Sequence, residues 1–255
     1  MRAMIPAALA AAAALAVAVT PALWRPAEKA DKTPVETVAV APGTFAFRLP
    51  GEYLKADWPV DAPMRTVAFR RGFEIMKYQV SAADYAGCVA DGACVAPDGG
   101  RPASADRPVT GVSYRDAVAY AAWLSQKTGD TWRLPSDEEW AFAAAERMND
   151  DALGVEADGA NPAARWLARY RAEAGTGERD AEPKPLGHFG QNGKGLADVA
   201  GNVWEWTTTC YLRATVTANG GVAQSVENCG VRVVGGKHRG YMSNFIRDGK
   251  SGGCA

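Results

Sequence analysis

The tightest condition on the fold comes from residues 195–206, GLADVAGNVWEW. Their apolar positions follow neither the 3.6-residue period of a helix nor the two-residue period of a strand, yet the stretch holds two tryptophans and two carboxylates. Indoles are driven out of water, so this is irregular backbone placed inside the protein. Buried irregular backbone needs a partner for every N–H and C=O. The chain must therefore fold around this loop and prop it from within.

With 255 residues and 47% hydrophobic content, the chain can build one sizeable core. Its 28 basic and 29 acidic residues leave a formal charge of −1, which excludes nucleic acid and anionic membrane as partners held by long-range attraction. The N-terminus, MRAMIPAALAAAAALAVAVTPALW, reads as an export signal over residues 1–22: one Arg, an apolar run at 5–19 and small residues at 20–22. That run is shorter than the roughly 20 residues of a bilayer span, and an uncleaved N-terminal anchor is the alternative. No twin Arg and no cysteine accompany it. The predicted location is periplasmic or secreted. Residues 23–36, polar with two prolines, read as a linker.

Five cysteines in an exported chain read as disulfides. Cys88 and Cys94 flank the turn-like VADGA, and Cys210 and Cys229 flank a Gly-, Asn- and Thr-rich stretch, which pairs them in that order and leaves Cys254 over. No C-x-x-C occurs, and with only His188 and His238 a three-histidine metal centre is excluded.

Residues 37–49 and 65–81 are rich in β-branched and aromatic side chains and predict strands. Ser113 followed by Asp116, with Gly129 as a stop, predicts a helix over 114–128; Ser136 with Glu139 predicts a second to about Met148. A helix-like stretch lies at 160–174 in an otherwise aperiodic region. Strands followed by helices indicate an α+β class.

Three stretches in fixed order carry a resemblance: PVTGVSYRDAVAYAAWLSQKTGDTWRLPSDEEWAFAAA (108–145), GLADVAGNVWEW (195–206) and RVVGG (232–236). Together they resemble the sulfatase-modifying-factor family, whose best-known members are formylglycine-generating enzymes. The likeness covers about residues 40–255. It implies a C-type-lectin-like α+β domain over 37–255 with two main helices, short strands and much irregular loop. It also implies Ca²⁺ on the 195–206 loop, held by the Asp198 and Glu205 side chains and the carbonyls of Gly201 and Val203, with Gly201 making the tight bend. Such a set suits Ca²⁺, which takes hard oxygen ligands. The competing expectation is that Asp198 and Glu205 satisfy buried donors while Trp204 and Trp206 fill the core. No match to the family's second calcium site is recognisable.

The family's oxidases bind Cu(I) through two cysteines shortly after the Gly-Gly, because Cu(I) prefers thiolate. Counting along GGKHRGYMSNFIRDG puts Gly240 and Phe245 at those positions, and Lys237 where the oxidases carry serine. No copper is expected. His238 and Met242 supply half a copper site at most. Lys237, His238, Arg239 and Arg247 form a basic cluster where relatives receive a peptide, and are candidates for binding an acidic partner. Relatives close with a strand ending G-F-R, which SGGCA does not match. The resemblance points to the non-oxidase branch associated with copper nitrite reductase. It implies an exported accessory or maturation protein of a periplasmic redox enzyme, with a metal-dependent modifying enzyme as the alternative.

Overall fold

A computed structural model describes residues 35–98, 104–174 and 182–247, all within one unit spanning Asp31–Ala255. The predicted signal, nearly all of the linker, Cys254 and the last residues of the chain lie outside them.

Short strands open the fold as their composition predicts. β1 (Thr37–Val40) pairs antiparallel with β6 (Phe73–Met76), and β2 (Gly43–Arg48) with β5 (Met64–Phe69). Alternation turns Val40 and Phe47 inward, each below 3% exposed. The expected long strand over 65–81 is broken at Arg70–Gly72, and at its end Ser81 caps a helix that the sequence reading did not anticipate, α1 (Ala82–Ala90).

α2 (Tyr114–Thr128) and α3 (Asp137–Ala144) start where their serines predict, each with both bonds of a capping box, and Gly129 ends α2 at φ 76°. α3 stops earlier than Met148: Ala145 turns to φ 51° and a single 3₁₀ turn, Ala145–Arg147, follows. A buried amide explains the stop. Asn192 Nδ2 donates to the carbonyls of Ala143 and Ala144 at 2.7 and 3.0 Å, satisfying the helix end from outside. A fourth helix, α4 (Ala164–Ala174), falls in the helix-like stretch.

The largest sheet has the order β4-β3-β7-β8-β9, from β3 (Glu52–Lys55), β4 (Trp58–Val60), β7 (Glu205–Val216), β8 (Val222–Gly235) and β9 (Gly240–Ser243). β7 and β8, 12 and 14 residues long, are not the short strands expected. Both disulfides form as paired from sequence: Cys88–Cys94 closes the end of α1, and Cys210–Cys229 staples β7 to β8. The main core packs α3 (Trp140, Phe142) on Val40 and Phe47 and on Leu196 and Val199 of the irregular loop. That placement brings the loop into the interior.

Candidate functional site: a clamped loop around Gln79 and Glu205

Side chains, not regular structure, hold residues 184–204. Asn202 makes a two-way bond with Lys184, accepting from its N–H at 2.8 Å and donating to its C=O at 3.1 Å. Arg147 donates to the carbonyls of Phe189 and Gln191, each at 3.0 Å, and Glu146 accepts from the Gly193 N–H. Lys194 donates to Phe142 O and lies over its ring. The props required by a buried irregular loop are thus polar side chains of the 3₁₀ turn and of the loop itself.

The bend of the signature stretch differs from the expectation. Gly201 is not in the left-handed region; Asp198, Ala200 and Asn202 are, at φ 59°, 59° and 62°. Asp and Asn tolerate this conformation, and past these three alternating left-handed residues the carbonyls of Gly201 and Val203 both reach Gln79.

Asp198 is fully buried, and its two oxygens accept from the N–H groups of Gly187 and Phe189, at 2.5 and 2.8 Å. Each oxygen therefore accepts one backbone N–H. The other three expected ligands do converge. Gln79 Nε2 lies 2.9 Å from Glu205 Oε1, 3.2 Å from Gly201 O and 3.4 Å from Val203 O. Glu205 Oε2 accepts from Trp140 Nε1 at 3.1 Å. Burial pushes the Glu205 carboxyl above its ordinary range, the bonds from Gln79 and Trp140 oppose this, and the Asp198 charge adds to the rise. Gln79 is itself buried, and its Oε1 has no hydrogen-bond partner. The sequence reading missed Gln79, which lies beyond the bend that follows β6, where no strand alternation marks it as inward.

The two glycines of RVVGG carry the indoles. A Cβ on Gly235 would stand 2.5 Å from Trp140, and one on Gly236 2.3 Å from Trp204, so only glycine lets both rings lie on β8 and its exit. Trp206 donates to Val112 O at 3.0 Å. Beside Gln79 and Glu205 opens a cavity of about 320 Å³ lined by Tyr78, Trp132, Leu134, Val203 and Trp204.

The expected basic cluster divides. Arg239 is 5% exposed and bonded to Asp137 and Asp151, and Arg247 is bonded to Asp116 at 2.7 Å and Asp98 at 3.0 Å. Two of the four candidates are thus engaged with internal carboxylates, whereas Lys237 and His238 are exposed, His238 edge-on to Trp204. Gly240 is buried in β9, Phe245 is 67% exposed, and Met242 is buried away from solvent. Among the described residues one acidic and cysteine grouping has metal-like spacing, Cys210, Glu227 and Cys229, and its two sulfurs are already bonded to each other. No helix among them is long and apolar enough to cross a membrane.

An α+β body whose core includes a clamped irregular loop, closed by indoles on a Gly-Gly strand, defines a domain of the formylglycine-generating-enzyme type, with a C-type-lectin-like fold. The chain belongs to the sulfatase-modifying factor enzyme 1-like domain family, which matches residues 24–255. It is 41% identical over 129 residues to the formylglycine-generating enzyme of Mycobacterium tuberculosis, a match covering 46% of this chain and 40% of that enzyme. It is 34% identical over 110 residues to the inactive C-alpha-formylglycine-generating enzyme 2 of Bos taurus, covering 42% of this chain and 34% of that protein. These matches span less than half the length of either relative. The solved structure of PvdO from Pseudomonas aeruginosa superposes with a TM-score of 0.55 at 25% identity, over 83% of this chain and 89% of PvdO.

Proposed function

We propose that this protein is an exported binding module without formylglycine-generating activity, serving as an accessory or maturation factor for a periplasmic redox enzyme such as a copper nitrite reductase. One observation carries this reading. Counting from the Gly-Gly, the positions that match the oxidases' two copper thiolates are Gly240, buried in β9, and Phe245, exposed beyond it, and neither side chain can ligate Cu(I). The four described cysteines are all in disulfides, so none supplies a replacement thiolate. That the family includes a relative described as inactive supports a non-oxidase role. Lys237 and His238, exposed just after the Gly-Gly, are where a partner would be met.

For calcium we propose a changed ligand set on the loop. Gly201 O, Val203 O and Glu205 would hold it, and the unpartnered Gln79 Oε1, brought inward by a half-turn of the amide, would replace Asp198. Bound there, Ca²⁺ supplies a fixed positive charge against the raised Glu205 carboxyl. Asp198 then orders the loop from behind, through the amides of Gly187 and Phe189.

The cavity supports a second reading, an enzyme acting on a small molecule or peptide with a metal, since its size is that of a ligand pocket and it reaches Glu205. Incubating the protein with Cu(I), oxygen and a cysteine-containing peptide separates the two. The expected result is no aldehyde and no oxygen uptake; an aldehyde product or stoichiometric redox metal in protein isolated from its host overturns the binding-module reading.

A further inference from the structure

We propose that Gln79 is the loop's built-in substitute for a cation, its carboxamide nitrogen donating to the oxygens that a cation would gather and holding the loop closed without one. Two backbone carbonyls and one carboxylate oxygen surround Nε2 at 2.9–3.4 Å. Three acceptors gathered on one point repel one another unless something positive lies among them. An amide NH₂ carries the positive ends of two N–H dipoles, so it meets that need partly. Its nitrogen lies within hydrogen-bonding distance of all three oxygens.

The opposite end of the same amide sharpens the case. Oε1 is buried and receives no hydrogen bond, a loss that a buried acceptor ordinarily avoids. The orientation is therefore selected by the nitrogen alone. Reversing the amide would aim Oε1 at three other oxygens, which is favourable only around a cation. One torsion thus has two settings, nitrogen inward without a cation and oxygen inward with one. The inference stands on the convergence of the loop oxygens and does not require that calcium binds the native chain.

Two substitutions test it, with melting temperatures taken in EDTA and in millimolar calcium. Gln79→Met keeps the length and removes the donor, leaving Glu205 Oε1 and both carbonyls facing an apolar chain. Gln79→Glu adds a second carboxylate to the cluster and restores the demand for a cation. In EDTA both should melt roughly 5 °C or more below the native protein, and calcium should raise Gln79→Glu by several times its effect on the native chain. A calcium effect on Gln79→Glu with none on the native chain supports the substitute and sinks only the calcium reading above. Equal melting of Gln79→Met and native protein in EDTA, or a Gln79→Glu chain no more calcium-responsive than the native one, overturns the inference while leaving that reading intact. Should Gln79→Glu not fold in EDTA, refolding on calcium addition supports the inference. If it folds in neither, side-chain NMR of the native protein decides: slow exchange of the Gln79 NH₂ protons in EDTA is expected, and solvent-like exchange overturns it.

Discussion

Asp198 and Glu205 stand seven positions apart in one loop and meet opposite environments: backbone N–H groups surround the first, and a carboxamide and an indole meet the second. Spacing could bring both carboxylates to notice, but not which way each points, because that depends on left-handed backbone at Asp198, Ala200 and Asn202. Asp116 shows a carboxylate with a stronger set of partners. Burial pushes its carboxyl up, but the bonds from the Ser113 hydroxyl and N–H and from Arg247 outweigh this and hold it below the ordinary range. A carboxyl depressed in the folded state contributes stability that is present above its unfolded value, about 3.9, and is lost as the pH falls through the folded one. Urea midpoints of Asp116→Asn should therefore change less than those of the native protein between pH 5 and pH 2, pH values of the order given by that reference range. An acid limb of unchanged steepness would show that Asp116 is not the group responsible.

At the scale of elements, α2 and α3 were legible because their start signals are local: a serine and an acid three residues on, followed by apolar spacing. The β7–β8 hairpin was not. β8 from Val222 to Gly230, VAQSVENCG, is exposed on both faces, so no apolar alternation marks it; it is a strand because β7 supplies the hydrogen bonds and Cys210–Cys229 joins the two. The end of α3 was misjudged for a related reason, since the amide that stops it, Asn192, lies 48 residues beyond Ala144. α3 is also tied to the chain after the Gly-Gly, where Arg239 lies 3.1 Å from Asp137 with both side chains at most 5% exposed. Replacing Arg239 by Met would leave Asp137 buried against Asp151 without its cation, at a cost of about 3–5 kcal/mol. Chemical denaturation measures that loss directly, and a change below about 1 kcal/mol would place the pair among surface bridges of little weight.

The whole molecule combines a modest set of cores with two covalent staples. Chain-entropy arguments give about 3 kcal/mol for a closed loop of the size between Cys210 and Cys229 and about 2 kcal/mol for the shorter loop between Cys88 and Cys94. Cys210→Ala with Cys229→Ala should therefore lower the unfolding free energy more than Cys88→Ala with Cys94→Ala, and the reverse order in denaturant titration would refute loop length as the deciding factor. The fold class was accessible from the sequence because its helices, opening strands and signature loop each carry a local mark. The clamp on that loop was hidden because Asn202, Asn192, Arg147 and Gln79 act on backbone far from them along the chain.

Gly240 also sets how closely β9 can lie on β8. A Cβ there would come within 2.9 Å of Val234 Cγ2 but would meet the Trp204 ring at an ordinary 3.7 Å, so a larger residue at this point has to displace one valine methyl while the indole stays where it is. A laboratory attempt to place a cysteine at 240 would therefore begin by making room at Val234.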